Sequence, residues 1–251
     1  MLNVLFTALG VGGATVLGAL IGLLFKKESH KLNDALLAFA GGVMLCAAVV
    51  GLIIPSINEG DKLSIVITLL GIIFGAVFIS VIDRLVPHLH RLSGVDLEKH
   101  PDKTASINKI LLFVIAIAIH NLPEGIAAGV SFGTDNVSRG FSVAGGIALQ
   151  NIPEGMIIIT PMISSGISKK RTFFIAFLTG LIEVVGTFIG YFAVSISSMI
   201  LPFMLAFAGG TMLYVISDEV IPETHAHGNE RLATYMLLFG FIVMLAFDFF
   251  I

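Results

Sequence analysis

One short phrase of polar residues occurs twice in this chain, and both copies carry groups that could bind a cation. The first copy is His120-Asn121-Leu122-Pro123-Glu124-Gly125, and the second, thirty residues later, is Gln150-Asn151-Ile152-Pro153-Glu154-Gly155. Each copy places a carboxylate four residues after a histidine or an amide, so that the two groups share one face of a helix. The surrounding segments are strongly apolar, and ionisable residues in such segments are rare and usually functional.

Three acidic residues, Glu124, Glu154 and Glu183, fall near the middle of apolar segments of membrane-spanning length. The sequence places no lysine or arginine at the same depth. An acidic residue at the centre of a bilayer costs about 2.5 to 3.5 kcal/mol even on the lenient insertion scale. Three carboxylates without a basic partner therefore predict a bound cation or bound protons.

The donor atoms around these carboxylates favour a divalent metal ion. His120 supplies a nitrogen, and amide oxygens are available from Asn121, Gln150 and Asn151. Such a mixed set of nitrogen and oxygen donors suits zinc, and it is also open to iron, manganese or cadmium. Met44 is either an additional soft ligand or an ordinary packing residue.

The elements that must position these residues are membrane-spanning helices. Of the 251 residues, 56% are hydrophobic and only 12% are charged, and the mean hydropathy is +1.00. A helix needs about 20 apolar residues to cross a bilayer, and eight runs near that length predict an all-α polytopic membrane protein with eight transmembrane helices. The predicted spans are Asn3–Phe25, Ala35–Ile57, Leu63–Val86, Ile107–Phe132, Phe141–Ile163, Phe173–Ser195, Ser198–Pro222 and Leu232–Ile251.

The basic residues predict the orientation of these spans. Only Lys62 and Arg139 lie in the even-numbered connections, whereas the other twelve lysines and arginines lie in or beside the odd-numbered ones. Because cytoplasmic loops are rich in lysine and arginine, the odd-numbered connections are predicted to lie in the cytoplasm and both termini on the outer side of the cell membrane. We read the first span as a retained helix. The whole chain, residues 1–251, is predicted to form a single transmembrane domain with a cytoplasmic loop at about residues 87–106.

A second repeated sequence indicates internal symmetry. The segment Ala38–Leu45 in span two recurs with few changes as Ala206–Leu213 in span seven. Spans two and seven cross the membrane in opposite directions, and so do spans four and five, which carry the two polar phrases. This pattern is typical of an inverted repeat in which spans one to three match spans six to eight around a central pair.

Several polar residues near the predicted cytoplasmic ends of the spans allow two interpretations. They form either an ordinary solvated face or a relay that receives a transported ion. The residues are Asp83, His88, His90, Asp218 and Glu219.

At these residues the chain resembles the ZIP (Zrt/Irt-like) family of metal transporters, and in particular its bacterial GufA-like branch. The two polar phrases carry the resemblance, and the predicted layout of eight spans with outside termini extends it over the whole chain. The resemblance implies metal ligands at His120, Asn121, Glu124, Gln150, Asn151 and Glu154, with Glu183 contributing to a second, adjacent metal position. Many relatives carry His where Gln150 stands, and some carry Asp where Asn151 stands.

The resemblance also implies inward movement of a divalent metal ion, an elevator-like shift of the spans that carry the site, and often a homodimer. The expected partners are the metal ion and the lipid bilayer, with no nucleic acid and no prosthetic group. The main alternative is a membrane-embedded metallohydrolase, which would use a metal ion to activate water. A proton-coupled carrier of another solute is a third interpretation.

Overall fold

The computed structural model describes residues 1–24, 29–58, 64–85, 119–133, 136–164, 166–197 and 200–251, and within these ranges it contains helices and no strands. The helices are α1 (Leu2–Gly22), α2 (His30–Asn58), α3 (Ser64–Leu85), α4 (residues 119–131), α5 (Val137–Ser164), α6 (Lys169–Ile196), α7 (Leu201–Thr224) and α8 (Glu230–Phe250). In the described part of the chain, all of them except α4 are long and apolar enough to cross a membrane. The chain is thus an all-α polytopic membrane protein, as predicted.

Several helices begin before the apolar runs that predicted them. Helix α6 begins at Lys169, although its apolar run starts at Phe173. Helix α2 begins at His30 because Ser29 caps it, its hydroxyl oxygen accepting a hydrogen bond from the backbone N–H of Leu32 at 3.3 Å. Hydropathy detects only the segment inside the hydrocarbon, whereas the helical backbone continues into the polar interface.

Contacts across the centre of the molecule follow the predicted inverted repeat. Gly12 of α1 and Gly180 of α6 face each other, and a Cβ on either residue would overlap the carbonyl oxygen of the other. Their separation along the chain equals that between Ala38 and Ala206, the first residues of the repeated segment. Equivalent positions of the two repeats therefore meet where α1 crosses α6.

The pairing of α1 with α5 matches the pairing of α6 with α4. Gly155 of α5 lies against the carbonyl oxygen of Thr15 in α1, and Gly125 of α4 lies against the carbonyl oxygen of Glu183 in α6. Glycines at such crossings let two helix backbones approach closely. We call α1, α4, α5 and α6 the first helix group.

The remaining helices, α2, α3, α7 and α8, form a second helix group with the same kind of packing. Gly42 of α2 lies against the carbonyl oxygen of Leu237 in α8, and Gly210 of α7 lies against that of Ile72 in α3. Gly42 and Gly210 are equivalent residues of the repeated segment. Both pairs of helices are consequently held at backbone contact distance.

At the described glycines, the contacts between the two groups involve side chains and no backbone atoms. Gly51 of α2 faces the side chain of Val143 in α5, and Gly146 of α5 faces the side chain of Met244 in α8. These crossings are separated by side chains and not by abutting backbones.

Helices α2 and α7 each contain a widened turn at matching depth. The π-helical segments are Ala47–Ile53 in α2 and Ile216–Val220 in α7, and they are followed by Pro55 and Pro222. Proline lacks the N–H that would bond to the carbonyl four residues earlier, and its ring crowds that carbonyl. A local π-helical turn accommodates this conflict, and such turns occur frequently at functional sites.

We predict that Gly42→Ala destabilises the protein because the added methyl group overlaps the backbone of α8. Overpacking of this kind costs about 1 to 3 kcal/mol. The matched control is Gly13→Ala in α1, where an added Cβ meets open space. Thermal unfolding in detergent should show a lower midpoint for Gly42→Ala alone; equal midpoints would contradict the close crossing of α2 and α8.

Candidate metal centre

The two polar phrases meet through a hydrogen bond between α4 and α5. The side-chain N–H of Gln150 donates to Oε1 of Glu124 at 2.7 Å, and both side chains are buried. His120 precedes Glu124 by one turn, and Glu154 follows Gln150 by one turn, so these four residues line the facing surfaces of the two helices. The structure therefore brings Glu124 of the first phrase and Gln150 of the second into direct contact.

Glu183 of α6 lies beside both asparagines of the two phrases. Asn121 donates to its Oε1, and Asn151 donates to its Oε2 at 2.8 Å. Asn151 also donates to the backbone carbonyl of Val11 at 3.3 Å. Three consecutive helices of the first group, α4, α5 and α6, thus supply a single polar cluster in the interior.

Thr15 of α1 completes this cluster, and it is not among the site residues predicted from the sequence. Its hydroxyl donates to Oε1 of Glu183 at 2.7 Å, and Thr15 is 1% exposed. A threonine in an apolar span is common and carries no signal by itself. The register of the repeat identifies Thr15 as the counterpart of Glu183, because these two residues have the same separation as Ala38 and Ala206.

Three buried oxygen atoms of the cluster have no hydrogen-bond partner among the described residues. They are Oε2 of Glu124, Oε1 of Gln150 and Oδ1 of Asn151. Buried polar atoms are nearly always paired, and leaving one unpaired costs about 1 to 3 kcal/mol. All three atoms are acceptors, so a cation is one partner that would satisfy them together.

The charges of the cluster lead to the same requirement. Within the described ranges, no lysine or arginine forms an ion pair with Glu124, Glu154 or Glu183, and the donors around Glu183 are neutral amides and a hydroxyl. The described residues also contain no group of three or more His, Cys, Asp or Glu side chains that could hold a metal ion. A metal ion bound here would consequently depend on amide oxygens as well.

Glu219 of α7 lies closer to the cluster than the sequence suggested. Its Oε1 is 2.8 Å from Nε2 of His120, whereas the neighbouring Asp218 is exposed. Both residues lie in the π-helical segment of α7, whose widened turn changes the direction of the side chains that follow. The contact joins the first helix group to the second.

The other predicted site residues lie in different surroundings. Met44 of α2 lines a small cleft next to His120 and Glu124. Asp83 lies near the C-terminal end of α3, and its part in a relay that receives the ion remains a prediction. His88 and His90 lie outside the described residues.

Comparison with known proteins identifies the family. The model of the ZIP zinc transporter family matches residues 94–248. The zinc transporter GufA of Myxococcus xanthus is 41% identical over 97% of both chains. The zinc transporter ZIPB of Bordetella bronchiseptica is 35% identical over 94% of this chain and 77% of its own, and the zinc transporter ZupT of Chlorobaculum parvum is 34% identical over 93% and 91%.

The chain belongs to the ZIP family. Within it, the chain is similar to the GufA-like branch, as the two polar phrases predicted. It is a multi-pass divalent metal transporter and not an enzyme, which removes the metallohydrolase alternative. The polar cluster in this ZIP protein lies within the first helix group, where a transported ion would find oxygen and nitrogen donors.

We predict that Thr15→Val destabilises this ZIP protein, because it removes a hydroxyl donor from the buried carboxyl group of Glu183. Removing one partner of a buried hydrogen bond costs about 1 to 3 kcal/mol. Thr15→Ser is the matched control, since it keeps the hydroxyl and loses only a methyl group. Chemical unfolding in mild detergent should separate the two variants, and a serine variant as unstable as the valine variant would contradict a role for the hydroxyl.

Proposed function

We propose that this protein moves Zn²⁺, or a related divalent ion, into the cytoplasm through a mid-membrane site by alternating access. The observation that carries the proposal is the set of three buried acceptor oxygens without partners, on Glu124, Gln150 and Asn151. Oxygens that bind a cation need no hydrogen-bond donor from the protein, whereas a purely structural polar network would pair them. The zinc transporters named among its relatives support the choice of metal.

The proposed ligands divide into direct donors and residues that orient them. His120, Glu124 and Glu154 provide the nitrogen and carboxylate oxygens that zinc prefers, and Gln150 adds an amide oxygen. The amide nitrogen of Asn151 donates to Glu183, which turns its Oδ1 away from that carboxylate. In this proposal Glu183 aligns the asparagines of both phrases, and it also borders the second metal position that the family resemblance implies.

The direction of transport is proposed from charge. The concentration of lysine and arginine in the odd-numbered connections supports an orientation with those connections in the cytoplasm and both termini outside. A doubly charged ion that moves inward gains about 4.6 kcal/mol per 100 mV of membrane potential, at about 2.3 kcal/mol per charge. Entry driven by the potential therefore needs no nucleotide hydrolysis.

The two helix groups suggest how access would alternate. The first group carries the oxygen and nitrogen donors, and its helices contact one another through abutting backbones at Gly12, Gly125 and Gly155. Its contacts with the second group at Gly51 and Gly146 are made through side chains. We propose that the first group moves as a unit against the second and carries the ion with it.

We predict that Glu124→Gln and Glu154→Gln each lower zinc uptake into proteoliposomes by at least about tenfold, the equivalent of about 1.4 kcal/mol. Each change keeps the shape of the side chain and removes one charge from the proposed ligand set. Glu230→Gln is the matched control, because Glu230 is an exposed residue at the start of α8. Uptake should be measured with the purified proteins at an imposed inside-negative potential.

The outcomes of this assay are distinct. Uptake by the wild type and by Glu230→Gln, but not by folded Glu124→Gln or Glu154→Gln, supports transport through this site. Equal uptake by all four proteins would contradict the proposed ligands. Absence of uptake by the wild type with zinc, iron, manganese and cadmium would contradict the proposed function.

We further predict that a disulfide between positions 51 and 143 stops transport, because it joins the two helix groups. A Cβ at position 51 would lie 3.9 Å from Cβ of Val143, within the range that a disulfide requires. The double variant Gly51→Cys, Val143→Cys should be made in a Cys46→Ala background, since Cys46 is the only native cysteine. Uptake should be lost on oxidation and restored on reduction.

The matched control is a disulfide within one group. A Cβ at Gly41 would lie 3.7 Å from Cβ of Val220, and both residues belong to the second helix group. The oxidised double variant Gly41→Cys, Val220→Cys should keep its zinc uptake if the two helix groups move as units. Full uptake by the oxidised 51–143 variant would rule out relative motion of the groups at this contact.

A further inference from the structure

Met212 of α7 occupies the same place in its repeat as Met44 occupies in α2. Both follow a Gly-Gly pair by two residues, in Gly41-Gly42-Val43-Met44 and in Gly209-Gly210-Thr211-Met212. Each stands just before the π-helical segment of its helix. The sequence predicts only Met44 as a candidate soft ligand, because the cleft that both methionines line forms only in the folded chain.

The glycine pairs explain why both methionines point inward. Gly42 faces the backbone of α8, and Gly210 faces the backbone of α3. A residue two positions further along an α-helix is turned by about 200°, to the opposite side. Met44 and Met212 therefore point away from α8 and α3, toward the polar cluster of the first helix group.

The two methionines meet at one cleft beside the proposed metal ligands. The cleft is lined by Met44, Met212, Val215, His120, Pro123 and Glu124, and each methionine is 2% exposed. Glu124 lines this cleft, and its Oε2 is one of the oxygens without a partner among the described residues. Methionine side chains from two equivalent helices thus line the cleft together with His120 and Glu124.

We propose that Met212 is a specificity-determining residue, which together with Met44 gives the metal path a soft face of two thioethers. This inference rests on the proposed transport function and refines its choice of ion. Thioether sulfur is a soft donor, whereas carboxylate and amide oxygens suit harder ions such as Mn²⁺. The sulfur atoms therefore favour Cd²⁺ and Zn²⁺ over Mn²⁺.

The location of the sulfur donors adds a consequence for the transport cycle. Met44 and Met212 belong to the second helix group, whereas His120 and Glu124 belong to the first. When the first group moves, the ion moves with its oxygen and nitrogen donors and leaves the thioethers. The sulfur atoms accordingly contribute to binding in one arrangement of the two groups and not in both.

The test is the ratio of Cd²⁺ uptake to Mn²⁺ uptake in proteoliposomes. Met212→Leu removes the sulfur and approximately keeps the volume, and we expect it to lower the ratio by about tenfold, the equivalent of about 1.4 kcal/mol. Met44→Leu should act in the same direction. Met204→Leu is the matched control, because Met204 is a partly buried residue of α7 outside the cleft, and it should leave the ratio unchanged.

Three results would separate this inference from the proposed function. An unchanged ratio in Met212→Leu, with normal uptake, would show that Met212 is only an apolar wall. The same conclusion would follow if Met212→Ala reduced uptake of both ions equally and leucine restored both. A wild type that transports none of these ions would overturn the proposed function itself.

Spectroscopy on purified protein provides a second readout that does not depend on transport. The X-ray absorption spectrum of the Cd²⁺-loaded Cys46→Ala protein, measured at the cadmium edge, should contain a cadmium–sulfur scattering contribution. That sulfur must belong to methionine, because no cysteine remains in this variant. That contribution should fall in Met212→Leu and vanish when Met44→Leu is added. A spectrum with only oxygen and nitrogen scatterers before these changes would overturn the proposal.

Discussion

The structure depends on acidic residues that have no lysine or arginine partner among the described residues: Glu124 and Glu183 are buried, and Glu154 is partly buried. An acidic residue at the centre of a bilayer costs about 2.5 to 3.5 kcal/mol even on the lenient scale. Around Glu183 that cost is offset by neutral donors from Thr15, Asn121 and Asn151, which come from three different helices. Among the described residues, Glu124 receives one such donor, from Gln150, and keeps an unpaired oxygen. The cluster is therefore completed on one side and open to a cation on the other.

The inverted repeat explains how a compact bundle produces such an uneven site. Backbone crossings at glycine fix the same frame twice, as Gly155 against Thr15 and Gly125 against Glu183 show. Within that frame the equivalent positions carry different side chains: Thr15 is the counterpart of Glu183. The hydroxyl of one repeat then donates to the carboxylate of the other, so the symmetry of the backbone brings an asymmetric pair into contact.

The sequence predicted much of this arrangement because its strongest signals are chemical exceptions. Glu124, Glu154 and Glu183 stand out in apolar spans, and the repeated phrase links the first two with His120 and Gln150. Thr15 could not be recognised by type, since a hydroxyl in an apolar helix is ordinary.

The depth of Glu219 and the shared cleft of Met44 and Met212 depend on how two helices pack and where their π-helical segments fall. Hydropathy depends on neither of these features and cannot predict them. It also placed the ends of several predicted spans inside the observed helices, because helices continue beyond the hydrocarbon.

The contact between His120 and Glu219 suggests how occupancy of the site and the arrangement of the helix groups are coupled. Nε2 of His120 lies 2.8 Å from Oε1 of Glu219, and a ring nitrogen that donates its N–H to a carboxylate has no free lone pair for a metal ion. If the ion binds at Nε2, it displaces Glu219 and weakens the contact between the groups. If it binds at Nδ1, Glu219 holds the ring in place and the contact becomes stronger. In the proposed mechanism, either case gives the ion different affinities for the two arrangements, and such a difference is what a ligand needs to shift a conformational equilibrium.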